Sequence, residues 1–301
     1  MSMDLLIKKI TQKKNPTVVG LDPNLEQMPP ELLAKNIEKY GKTLKAAAEA
    51  IYEFNTGIID SVCDIIPAVK PQSAYYEMYG PEGVEVLKRT MQYAREKDLY
   101  VIADVKRNDI GSTATAYAKA YLGEVEIAGE KVSPFGADCV TVNGYLGSDG
   151  LNPFINLCKE YNKSMFVLVK TSNPSSSELQ DLIVGDKTIY RTMAEAVSKL
   201  GEDVVGEYGY SSVGFVVGAT HPRELTELRA ACPNSFFLVP GYGAQGATAE
   251  DLKGAFDKNG LGAIINSSRG IIYAWKKTDA DFKEASRNAA LAMKKDLEIY
   301  F

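Results

Sequence analysis

Tyr100-Val-Ile-Ala-Asp104-Val-Lys106-Arg-Asn-Asp109 decides how the rest of the chain reads. An apolar run rich in Val and Ile ends abruptly in charges, as a buried parallel strand does where it reaches a functional edge. Side chains alternate along a strand, so Val101, Ala103 and Val105 share one face and Ile102, Asp104 and Lys106 the other. The first set suits packing against helices. The second places a carboxylate beside an ammonium, and an isolated buried charge there would cost several kcal/mol or neutralise itself. An alternating chain of acid and base removes that problem, and Lys70 and Asp109 are candidates to complete it. Such an array can hold a lysine protonated and aim it at a substrate carbon. An ordinary ion pair at a strand end is the plainer alternative, since such pairs also perturb pKa without any function.

Runs of the same kind recur at 17–21, 65–70, 139–142, 165–169, 213–217, 236–239 and 263–265. Between them, 43–63, 81–97, 188–200 and 249–256 have helical spacing, and Thr220-His-Pro-Arg-Glu224 reads as a helix start with Thr220 as N-cap. Eight strands alternating with helices predict an α/β chain folded as a (β/α)8 TIM barrel; a doubly wound sheet is the alternative. The chain has 301 residues, and such barrels run to ~250 residues or more as one unit. No linker or repeat divides it, so 1–301 is expected to be a single domain. The long spacings near 113–134 and 173–210 then become insertions, the first with a hairpin turn at Ala128-Gly129.

Composition excludes several classes of function. With 34 basic and 39 acidic residues the net charge is −5 and no basic block stands out, so no nucleic-acid partner is expected. His221 is the single histidine, which rules out a multi-histidine zinc site. Cys63, Cys139, Cys158 and Cys232 lie far apart with no C-x-x-C, as reduced core thiols of a cytoplasmic protein would. The N-terminal segment lacks the apolar core of a signal peptide, and no run approaches the ~20 apolar residues a membrane helix needs.

Barrel enzymes carry their chemistry at the C-terminal ends of the strands. There the sequence places Asp22, Lys70, Asp104, Lys106, Asp109 and Ser172, then Gly241-Tyr-Gly-Ala-Gln-Gly246 and Ser267-Ser-Arg-Gly270. The G-x-G-x-x-G stretch could be a dinucleotide fingerprint, but it lies late in the chain and no acidic residue closes the next strand. Two consecutive Gly-rich loops after strands 7 and 8 instead match the usual phosphate cradle of a barrel, with Arg269 supplying charge. Lys170 invites a Schiff-base role, though a structural ion pair suits one lysine at a strand end better.

Asp104-Val-Lys106-Arg-Asn-Asp109-Ile-Gly-Ser-Thr113 resembles the signature of the orotidine 5′-phosphate decarboxylase family. The likeness covers nearly the whole chain: Gly20-Leu-Asp22-Pro, Val69-Lys70-Pro-Gln, Thr171-Ser172-Asn-Pro, Val217-Gly-Ala-Thr220, Val239-Pro-Gly-Tyr-Gly243-Ala-Gln245-Gly and Ser268-Arg269-Gly follow in order. The insertions and the Lys-Arg-Asn-Asp variant resemble the longer bacterial branch. The resemblance implies decarboxylation of orotidine 5′-monophosphate to UMP with no cofactor and no metal. By motif match, Lys106 would protonate C6, with Asp104 and Lys70 holding it charged. Asp109 would lie near the substrate carboxylate and Thr113 near the ribose, both from the partner subunit of a homodimer. Asp22 and Lys70 would contact ribose hydroxyls, Ser172 the pyrimidine, and Gly243, Gln245, Ser268 and Arg269 the phosphate. The rival readings are a metal-dependent sugar-phosphate lyase, a Schiff-base aldolase acting through Lys106 or Lys170, and a phosphometabolite-binding barrel without chemistry.

Overall fold

The computed structural model describes residues 1–243 and 245–301. Eight parallel strands close into a barrel: β1 Thr17–Leu21, β2 Ala68–Pro71, β3 Tyr100–Arg107, β4 Cys139–Val142, β5 Ser164–Lys170, β6 Val213–Val217, β7 Phe237–Pro240 and β8 Ala263–Ser267. Each strand pairs with its neighbours in sequence, and β1 closes the ring on β8. The fold is the (β/α)8 barrel, with no doubly wound sheet.

Period-two alternation sorts the strand residues into two cores. Val18, Ala68, Tyr100, Ile102, Cys139, Phe166, Val216, Leu238 and Ile264 form one cluster, the barrel interior. Val19, Val69, Val101, Val140, Val167 and Phe215 join the surrounding helices in the other. The helix Ser2–Lys13 adds Met3, Leu6, Ile7 and Ile10 to the inner cluster and plugs the N-terminal end of the barrel, where the Ser2 hydroxyl lies 2.9 Å from that of Tyr100. One end is thereby sealed with apolar side chains, which leaves the C-terminal mouth for polar chemistry.

Several local expectations need correction. The second strand starts at Ala68 because the N–H groups of Ile65 and Ile66 donate to the Val62 carbonyl at the end of the preceding helix. His221, not Thr220, holds the N-cap position of the helix Pro222–Ala231. The segment 249–256 is the 3-10 helix Glu250–Ala255, with Gly254 pressed so closely on Thr226 that a Cβ would stand 2.7 Å from its backbone nitrogen. By contrast, the hairpin expected within 113–134 is present, Val125–Ile127 with Glu130–Val132, turning at Ala128 and Gly129 with φ of +52° and +90°, although most of that region is the helix Gly111–Leu122. The region 173–210 holds a second small hairpin, Ile183–Val184 with Lys187–Thr188, followed by the helix Ile189–Leu200. Among the described residues no helix is long and apolar enough to cross a membrane.

Candidate active site at the barrel mouth

The strands β2 and β3 bring three of the charged residues together. Lys70 Nζ lies 2.5 Å from Asp104 Oδ2, and Lys106 Nζ lies 2.6 Å from Asp104 Oδ1. The Lys70 and Asp104 side chains are buried, whereas that of Lys106 is 43% exposed and faces the cleft. Burial alone would push the Asp104 carboxyl up, but the ammonium groups of Lys70 and Lys106 overcome it and hold it well below the usual carboxylate range. Burial opposes the charge on Lys70 too, and Asp104 and Asp22 reverse that, so its ammonium is held above its ordinary value. The result is a negative charge pinned between two positive ones, with the more accessible lysine at the open end.

Asp109 stands outside this cluster in the chain. Its Oδ1 accepts the N–H of Ile110, after which Gly111 takes a left-handed φ of +54° and the helix Gly111–Leu122 leads the chain away. The expected four-membered array is therefore three-membered within one chain, and Thr113 is exposed on that helix.

A cavity of about 420 Å³ opens over the triad and is lined by Lys70, Asp104, Lys106, Thr141, Ser172 and Gln180, among others. Ser172 is held through its neighbour. The Thr171 N–H donates to Gln180 Oε1 at 2.9 Å, Gln180 Nε2 donates to Thr171 Oγ1 at 2.7 Å, and His221 Nε2 donates to the Thr171 carbonyl at 3.0 Å. Lys170 is fully buried and bonds Asp181 at 2.7 Å and Ser176 at 3.2 Å, so it anchors the same segment as an ion pair. Asp22 Oδ1 and Asn266 Oδ1 are buried acceptors with no partner among the described residues.

A neighbouring cavity of about 880 Å³ is lined by Gly243, Ser267, Arg269 and Lys276. Gly241, Gly243 and Gly246 have φ of +110°, +69° and +92°, a region that side-chain-bearing residues rarely adopt, which explains the spacing of glycines in this loop. The Gly243 N–H is already spent on the Ala247 carbonyl, so in this conformation it is no free anion donor. Gln245 is exposed, and Ala244 lies outside the described residues. Ser268 packs on Gly20 so tightly that a Cβ at position 20 would collide with its hydroxyl. Arg269 is exposed and forms no ion pair among the described residues. No group of three His, Cys, Asp or Glu side chains among them is placed to hold a metal ion, and both Asp104 oxygens are occupied by lysines.

Thr141 and Gln180 are site residues that the sequence reading missed. A signal for Thr141 existed: it is a polar residue two positions from Cys139 on the inward face of β4. Gln180 had none, because a loop brings it back from nine residues beyond Thr171.

Residues 18–281 match the model of the Orotidine 5′-phosphate decarboxylase / HUMPS family. The chain belongs to this family. It is an enzyme of the carboxy-lyase class. It is 47% identical over 289 residues to the orotidine 5′-phosphate decarboxylase of Rhodopirellula baltica, covering 94% of each chain. It is 43% identical over 295 residues to that of Caldicellulosiruptor bescii, covering 98% of this chain and 97% of the relative. Among solved structures, OMP decarboxylase of Leishmania donovani superposes with a TM-score of 0.77 at 31% identity, covering 99% of this chain and 98% of that one.

Proposed function

We propose that the protein decarboxylates orotidine 5′-monophosphate to UMP and carbon dioxide, without a cofactor, as a cytoplasmic homodimer. The observation that carries the reading is Asp104 held between Lys70 and Lys106 at the mouth of the barrel. As carbon dioxide leaves, the electron pair of the broken bond stays on C6 of the pyrimidine. No imine or metal receives it, so the site supplies charge stabilisation in advance and a proton at the right atom. Lys106 donates that proton to C6 and is afterwards reprotonated from solvent; Asp104 and Lys70 fix its place.

The remaining roles are assigned by motif, and burial and cavity lining support some of them. Asp22 Oδ1 is a buried acceptor that a ribose hydroxyl would satisfy, beside Lys70. Ser172 lies where the ring would rest over the triad. Gly243 and Arg269 line the second cavity, and Gln245 and Ser268 stand in the same loops after β7 and β8, where a barrel binds phosphate; Arg269 supplies the charge, and Gly243 contributes the turn rather than its N–H, which Ala247 occupies. Binding there, far from the reacting carbon, holds the substrate in place for the chemistry. Asp109 and Thr113 reach the site of a second copy. The loops after β3 and β4 expose Ile110, Tyr145 and Leu146, apolar surface that such a copy would cover.

The test is loss of orotidine 5′-monophosphate absorbance on adding EDTA-treated protein, with UMP identified as product. Rapid conversion is expected, and Lys106→Ala abolishes it without unfolding the barrel. A folded wild-type protein with no turnover, or full activity in Lys106→Ala, overturns the reading.

A further inference from the structure

We propose that Thr141 is a positioning residue for Lys106, tying the backbone of the proton donor to the carboxylate that holds its ammonium. The proposal rests on the function read above for Lys106. The sheet is irregular where this lysine leaves it. The strand β3 pairs with β4 as Ile102 with Cys139 and Ala103 with Val140, and then the register jumps to Arg107 with Val142. Asp104, Val105 and Lys106 therefore stand opposite Thr141 alone, two residues more than a regular ladder holds. Lys106 takes φ of +47°, a backbone conformation that L residues rarely adopt. Such a residue persists only where its surroundings over-determine it.

The bulge deprives Val105 and Lys106 of ladder partners for their N–H groups. Thr141 Oγ1 accepts both, each at 3.0 Å. The same hydroxyl donates to Asp104 Oδ1 at 2.9 Å, the oxygen that also receives Lys106 Nζ at 2.6 Å. A hydroxyl has one proton and two lone pairs, and here all three are used. Thr141 is 1% exposed at the floor of the cavity over the triad, and its hydroxyl is fully engaged by these three bonds. One buried side chain thus fixes the lysine at both ends: at its main chain directly and at its ammonium through Asp104. A small misplacement of a proton donor lowers the chemical step far more than it lowers binding through distant contacts.

Thr141→Val keeps the shape and removes the hydroxyl; Thr141→Ser keeps the hydroxyl. Steady-state kinetics with orotidine 5′-monophosphate should show kcat at least about tenfold lower in Thr141→Val with KM changed less than about threefold, the pattern of an interaction needed for the chemical step. Thr141→Ser should return kcat to within about threefold of wild type. Wild-type kcat in Thr141→Val, a loss confined to KM, or equal damage in Thr141→Ser would each overturn the proposal. If Thr141→Val does not fold, Thr141→Cys replaces it, and kcat below that of Thr141→Ser is expected because a thiol bonds weakly. Hydrogen exchange supplies a readout independent of turnover. The amides of Val105 and Lys106 should exchange faster in Thr141→Val (or Thr141→Cys) than in wild type and Thr141→Ser. Unchanged exchange would overturn the clamp. A wild-type protein that does not consume orotidine 5′-monophosphate would bring down the reading of Lys106 instead, while exchange still judges the clamp.

Discussion

The Lys70 ammonium stands 2.5 Å from Asp104 Oδ2, with 5% and 8% of the two side chains exposed. Removing Asp104 would leave Lys70 buried with only the charge of Asp22 nearby, and breaking such a pair costs about 3–5 kcal/mol. Asp104→Ala is therefore expected to be both inactive and markedly less stable in urea. Lys106→Ala removes the exposed partner and should cost no more than about 1 kcal/mol while abolishing turnover. Equal stability losses in the two variants would contradict this division between the holding pair and the working lysine.

The pH dependence of stability follows from the same pair. Asp104 is held below the usual carboxylate range, so its contribution is complete above that range and is lost as pH falls through its lowered folded-state value. Lys70 is held above its ordinary value, so its contribution is complete below that value and is lost as pH rises through the raised one. Between about pH 5 and 9 neither group changes charge, and their combined contribution to unfolding free energy should be flat. Urea unfolding of wild type and the double variant Lys70→Met with Asp104→Asn, which carries neither charge, measures it across about pH 3–10. A difference between the two that varies through the neutral range would refute the assignment.

Gly218 governs how closely β6 approaches the loop after β5. A Cβ there would stand 2.8 Å from Ser172 Cβ and 2.9 Å from its Cα, although the glycine has no unusual φ. Gly218→Ala should fold, since the loop can shift, but Ser172 moves with it. UMP affinity by calorimetry is expected to fall about tenfold, the loss of roughly one hydrogen bond's discrimination. Unchanged affinity would mean that Ser172 does not contact the ring.

Asp109 does not join the Lys70–Asp104–Lys106 cluster of its own chain, and the proposed dimer supplies it from the other copy. Lys106→Ala and Asp109→Ala should each be inactive, yet mixing equal amounts under conditions of subunit exchange should restore about a quarter of wild-type activity. Half the dimers are then mixed, each with one intact site of two. No recovery, with exchange demonstrated by mass, would remove the shared site.

Much of this molecule is decided locally. Strand alternation placed Ile102 and Asp104 on the inward face of β3, and the apolar runs separated by helices predict the barrel that closes. The helical stretches read from 43 and 188 begin where Thr43 and Thr188 accept N–H groups from Ala46 and Arg191, whereas the helix Phe282–Leu297, capped by Asp281, was not read from the sequence. At position 220 the expected cap is displaced by one residue: His221 stands at the cap position without a side-chain cap bond, and its ring bonds the Thr171 carbonyl, fifty residues away in sequence.

What the sequence by itself determined was the fold class and which residue types stand at the strand ends, because both follow from periodicities of two and 3.6 residues. Only the tertiary structure decided how those residues meet. Lys106 lies in a bulge that period two does not anticipate, held by Thr141 from another strand. Asp109 is directed away by the turn that follows it, and Gln180 returns across a loop to Thr171. These are contacts between distant segments, set by strand register and loop closure, and no local pattern encodes the distance between two residues that only the closed barrel brings together.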